Sequence, residues 1–104
     1  MIRKQRSPNT GKVIVTFEIP GSVWAERINL VGDFNDWSRQ SLPFQQNREG
    51  NWQIELELEA GCEYRFRYLF DDEYWRDDWQ ADRFDLNPYG TYDSVIIVDV
   101  PPDA

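Results

Sequence analysis

Trp37 closes the stretch Val31-Gly32-Asp33-Phe34-Asn35-Asp36-Trp37, a strand-like run ending in a small polar turn that carries two large rings. Gly32 offers a backbone free to bend, and Asp33, Asn35 and Asp36 can bond their own main chain to shape the turn. Loop propensity does not place Phe or Trp there, so one ring is expected to anchor the loop in the core and the other to meet a ligand. Stacking is the chemistry such residues offer. The chain has no histidine and a single cysteine, Cys62, which removes an internal disulfide, zinc sites of the usual kind and histidine acid–base chemistry.

The acidic run Asp71, Asp72, Glu73, Asp77, Asp78, Asp82 and Asp85 raises calcium binding or glycoside cleavage, since carboxylates bind hard cations and pairs of them hydrolyse glycosides. No Asp-x-Asp-x-Asp-Gly loop accompanies it, so solvated turns are expected, with no metal, no cofactor and no catalytic residue. A net charge of -8 and a pI near 4.4 repel phosphate backbones and acidic membrane faces. Nucleic acid and membrane are therefore excluded as partners in favour of a neutral one. Val13-Ile14-Val15 is too short an apolar run for a signal or a span, and a cytoplasmic location is expected.

At 104 residues the chain suffices for one core. Residues 1–10 read as a flexible tail that includes the basic cluster Arg3, Lys4 and Arg6, residues 11–100 as the folded domain, and residues 101–104 as a C-terminal tail. Val13, Val15, Phe17 and Ile19 alternate with Ile14, Thr16 and Glu18, the period of a half-buried strand. Ile28 and Leu30 mark a second strand, with Trp24 in the connection covering one end of the core. Residues 38–50 read as a long loop with an apolar patch or short strand at Leu42-Pro43-Phe44.

Trp52, Ile54, Leu56 and Leu58 alternate with acids and Gln53, and Tyr64, Phe66, Tyr68 and Phe70 alternate with Arg65, Arg67 and Leu69. The two runs are expected to pair as a hairpin about Ala60-Gly61-Cys62, with Leu58 opposite Tyr64 and with Glu57–Arg65 and Glu55–Arg67 as cross-strand ion pairs. The length of the turn at Asp71-Asp72-Glu73 decides Trp75. Three residues set it beside Leu69 on the face of Arg67, whereas two or four turn it inward. Residues 77–91 read as an Asp-rich loop anchored by Trp79, and Ser94–Val98 as a buried closing strand. No helical period occurs, and an all-β antiparallel two-sheet sandwich is predicted.

The opening stretch, Tyr64-Arg65-Phe66-Arg67-Tyr68, Trp75, Asp77-Asp78, Ala81-Asp82 and Asn87-Pro88-Tyr89-Gly90, in this order, resemble carbohydrate-binding module family 48 over roughly residues 12–99. That family includes the glycogen-binding domain of the AMP-activated kinase beta subunit and the N-terminal domains of isoamylases and branching enzymes. The resemblance implies an immunoglobulin-like (early-set) β-sandwich that binds alpha-1,4-linked glucans without catalysis. By position, Trp37 and Trp75 match the stacking tryptophans, Arg67 the basic residue, and Tyr89 the loop residue that presses on the sugar, next to Thr91. Asp93 stands where many relatives have asparagine, and a carboxylate accepts but does not donate.

A glucose ring presents a flat C–H face and a rim of hydroxyls, which an aromatic plane and an arginine fork suit. The expected function is alpha-glucan binding that recruits a glucan-metabolising enzyme or kinase. A protein-interaction module with a degenerate sugar site is the alternative.

Overall fold

The computed structural model describes residues 2–8, 11–78 and 80–98. Strands β1 (Ile2–Arg6), β2 (Lys12–Ile19), β5 (Trp52–Glu59) and β4 (Gln45–Gln46) form one sheet, in that order. The other runs β3 (Ile28–Gly32), β6 (Cys62–Phe70), β9 (Tyr92–Val98) and β8 (Arg83–Leu86), with the short β7 (Tyr74–Arg76) also on β6. Every pairing is antiparallel, so the chain is the expected β-sandwich. Alternate residues of both sheets meet inside: Val13, Val15, Phe17 and Ile19 from β2 face Phe66, Tyr68, Ile96 and Val98. Phe17 meets Phe66 edge to face at 5.2 Å between ring centroids, a pair worth about 0.5–1.5 kcal/mol beyond its burial.

β5 and β6 do not form the expected hairpin. They lie in opposite sheets, with β5 bonded to β2 in full register from Lys12↔Glu59 to Ile19↔Trp52, and β6 bonded to β3, β7 and β9. The turn between them crosses the sandwich, Ala60 N–H donating to Gly11 O in one sheet and Gly61 N–H to Val98 O in the other. The ion pairs Glu57–Arg65 and Glu55–Arg67 are accordingly not formed. Arg65 pairs with Asp85 and Arg67 with Asp77. Alternation states which face a side chain takes, and two strands facing each other across a core satisfy it as well as two side by side.

Four further expectations are corrected. Residues 2–6, assigned to a flexible tail, form β1, whose polar side chains suit an exposed edge strand on β2. Residues 83–86, assigned to a loop, form β8 at the opposite edge of the other sheet. Trp24 is 85% exposed, and Val23 and Ala25 pack against the core in its place. The acidic run is not simply solvated: Asp71, Asp72, Asp77, Asp78, Asp82 and Asp85 each accept a hydrogen bond from a backbone or side-chain donor. Phe44 is buried beside the Asn29↔Pro43 bridge, as its apolar patch implied. Trp79 and residues 99–104 lie outside the described residues.

The Tyr68 hydroxyl donates to Asp78 Oδ2 at 2.7 Å, and both residues are buried. Burial first, then the charge of Asp78 and the bond to it, hold the phenol well above its usual pKa of 10.0. The neutral ring is the form favoured by folding, so its contribution is intact below about pH 10, where tyrosine in the unfolded chain ionises, and is lost as pH rises beyond that. Tyr68→Phe leaves the Asp78 carboxylate short of a donor and is expected to cost about 1–3 kcal/mol at neutral pH in urea unfolding. The variant should also lose stability less steeply than wild type above pH 10. An unchanged alkaline slope would contradict the assignment.

Candidate functional site

The first wall of the site grows from the end of β3. Gly32 is extended, with φ -178°, so the expected bend is absent there. Glycine is required instead by closeness: a Cβ would press on the Arg65 carbonyl oxygen and lie 2.9 Å from Phe66 Cβ. The 3₁₀ turn Asp33–Asn35 follows. Asp33 accepts from Arg65 N–H at 2.8 Å and from the Trp37 indole N–H at 3.0 Å, tying the ring to β6.

Asn35 knits the turn. Its oxygen accepts from Gly32 N–H at 3.0 Å, and its amide donates to Leu30 O, Ser38 O and Ser41 Oγ. Asp36 and Trp37 are left-handed, with φ 53° and 59°. Such a backbone is costly for a tryptophan and is held here by Trp37 N–H donating to Gly32 O at 2.9 Å. The two rings thereby part: Phe34 packs on Phe17, Tyr64 and Phe66, while Trp37 stays 36% exposed.

The second wall is the outer face of β6 and β7. The turn at Asp71–Glu73 has three residues, pairing Phe70 with Tyr74 and Leu69 with Trp75, so Trp75 faces outward beside Arg67. The Arg67 guanidinium lies over the Trp75 ring, 5.4 Å from its centroid, and its Nε–H donates to Asp77 Oδ1 at 3.3 Å. Among the described residues no acceptor takes its Nη hydrogens. Arg39 also sits 5.4 Å from the Trp75 centroid and, among the described residues, forms no ion pair. Farther along the sheet, Arg83 holds the Asp85 carboxyl below the usual carboxylate range through a hydrogen bond.

The third wall is the β8–β9 connection. Asn87 N–H donates to Thr91 O at 2.8 Å, and Gly90 takes φ 82°, which glycine adopts without strain. Tyr89 projects 90% exposed, whereas Asp93, on β9, is 6% exposed. These walls enclose an open groove of about 610 Å³, lined by all six residues singled out in the sequence: Trp37, Arg67, Trp75, Tyr89, Thr91 and Asp93. Asp33, Arg39, Arg65, Asn87 and Pro88 complete it. Sequence reasoning missed Arg39 and Arg65 as lining residues. Arg65 shares the outward phase of Arg67 along β6 and was legible from it; Arg39 lies in a segment without period, and nothing local marks it.

Exposed aromatic rings, guanidinium donors and a carboxylate acceptor along one sheet face make the frame of a non-covalent binding module. The chain belongs to the family Carbohydrate-binding module 48 (isoamylase N-terminal domain), which matches residues 15–90. It is similar to a 1,4-alpha-glucan branching enzyme GlgB 2 of Xanthomonas oryzae pv. oryzae, 39% identical over 56 residues covering 47% of this chain and 8% of that enzyme. The corresponding enzymes of Xanthomonas euvesicatoria pv. vesicatoria and Xanthomonas campestris pv. campestris are 38% identical over 56 residues and 34% over 55, the match covering 47% and 49% of this chain. In each case the match spans 8% of the relative's length.

Asp33 is the link between the Trp37 ring and the sheet. Asp33→Ala removes two bonds to a charged acceptor, and because the site is exposed the expected cost is about 1–2 kcal/mol in urea unfolding. Acrylamide quenching of tryptophan emission should rise in the same variant as Trp37 loosens. Quenching equal to wild type would show that the indole is held by something other than Asp33.

Proposed function

We propose that this chain binds alpha-1,4-linked glucans such as glycogen, starch or maltooligosaccharides, without catalysis, and brings a glucan-metabolising enzyme or a kinase to them. The observation that carries this reading is the meeting of Trp37, Trp75, Arg67, Tyr89, Thr91 and Asp93 on one groove in a member of a carbohydrate-binding family. The rings offer planes for the C–H face of glucose, Arg67 offers Nη donors that no acceptor takes among the described residues, and Asp93 offers an acceptor for a hydroxyl. An open site with neutral ligands gives modest affinity, which repeated contacts along a polymer raise. The similar Xanthomonas proteins are 1,4-alpha-glucan branching enzymes, whose substrate has the same chemistry.

A second reading, docking on another protein, draws on Phe84, Leu86 and Tyr92, which are exposed together where β8 edges its sheet. The two readings separate in one assay, since maltoheptaose perturbs tryptophan fluorescence only under the first.

Co-sedimentation with glycogen or insoluble starch should retain the wild type. Trp37→Ala and Trp75→Ala, shown by circular dichroism to be folded, should each bind about tenfold less tightly or worse, a loss of ~1.4 kcal/mol or more. Failure of the wild type to sediment would remove the glucan reading and leave the docking surface.

A further inference from the structure

Asp93 carries an asymmetry that the platform alone does not explain. It is a carboxylate with 6% exposure, yet among the described residues a single hydrogen-bond donor reaches it, the Asn87 amide on Oδ1 at 3.1 Å. A carboxylate on so little exposed a residue ordinarily gathers several donors; here, since no buried side-chain oxygen among the described residues lacks a partner, the remaining oxygen keeps contact with solvent. Its other oxygen has no described partner, and the residue lines the groove.

Asn87 itself is fully engaged. Its oxygen accepts from Tyr89 N–H at 3.0 Å and Thr91 N–H at 3.1 Å, and its amide donates to Thr91 Oγ1 at 2.7 Å as well as to Asp93. Backbone N–H groups only donate, so the side-chain atom facing them must be the oxygen, and the amide orientation follows without choice. The consequence passes to Thr91: its hydroxyl accepts from Asn87, which leaves its own hydrogen for an acceptor elsewhere.

We propose that Asn87 is a positioning residue that fixes the polarity of the groove's edge, holding Thr91 as a hydroxyl donor and Asp93 as an acceptor. Resting on the glucan reading, this names what that edge demands of its ligand. It takes a polyol with one hydroxyl oxygen that accepts from Thr91 and one hydroxyl whose hydrogen goes to the open oxygen of Asp93. An ether oxygen can answer Thr91 but cannot answer Asp93.

The test exchanges the two ends of the bond. Asn87→Asp keeps an oxygen for the Tyr89 and Thr91 amides, so the turn and the hydrogen-exchange protection of those amides are retained. It also removes the donor and sets a second carboxylate against Asp93. Affinity for maltoheptaose, followed by calorimetry, should fall about tenfold. The double variant N87D/D93N restores the bond between 87 and 93 in the reverse sense but leaves the Thr91 hydroxyl donating to Asp at 87. It should therefore recover the urea stability lost in Asn87→Asp while binding stays several-fold weak, whereas a merely structural role for Asn87 predicts recovery of both. Should Asn87→Asp fail to fold, Thr91→Val removes the hydroxyl, both the donor to the ligand and the acceptor of the Asn87 amide, and should weaken binding several-fold. Wild-type binding with unchanged affinity in Asn87→Asp, full recovery of binding in the double variant, or no effect of Thr91→Val overturns the inference. No binding by wild type overturns the glucan reading and this inference with it.

Discussion

The pleat of β6 is the constraint on which the molecule turns. Its inward residues, Tyr64, Phe66, Tyr68 and Phe70, pack with the core, and its outward residues Arg65 and Arg67 line the groove. A strand has one period, so the two sets are locked in phase: whatever fixes the core fixes the azimuth of the arginines. The neighbouring strands inherit that phase, Trp75 through its pairing with Leu69 and Asp93 through β9. The loop after β3 obeys the same division within four residues, sending Phe34 inward and Trp37 outward. Groove and core are two sides of one hydrogen-bonded surface.

Electrostatics serve orientation here more than stability. The arginines of the outer face meet carboxylates in partly exposed pairs, Arg67 with Asp77, Arg65 with Asp85, and Arg83 with Asp85 and Glu63. Pairs of this kind add little to folding. They do hold long side chains in one arrangement, which lowers the ordering cost when a ligand arrives. In a chain of net charge -8 this leaves Arg65 and Arg67 in the groove with their charge locally met, a setting suited to neutral hydroxyls.

The alternating runs at Val13–Ile19, Trp52–Leu58 and Tyr64–Phe70 were legible because burial on one face leaves a period of two in the residue types. Strand partners were not, since the same period suits a neighbour in the sheet and a neighbour across the core. β1 and β8 escaped notice as edge strands do: Ile2–Arg6 carries no apolar period, and Arg83–Leu86 alternates over four residues only, with Phe84 and Leu86 left exposed. Trp24 went the opposite way, a large ring in a connection that the fold leaves in water while its small neighbours Val23 and Ala25 fill the space. The six groove residues were found by likeness to a family and by chemistry, and their convergence needed three walls from separate parts of the chain. Arg39 required the folded loop to be seen at all.

β1 covers the edge of β2 with backbone bonds from Ile2↔Phe17 to Arg6↔Val13, and Lys4 reaches over to Asp82 Oδ2 and Ile97 O in the opposite sheet. Without that cover, the apolar, β-branched run Val13-Ile14-Val15 would present a row of unsatisfied amides and carbonyls to any other extended chain. A strand made almost wholly of cationic and polar residues is thus a guard against self-templating. Its worth lies in the fibrils and precipitates that do not form, a property that no measurement on the isolated groove would reveal.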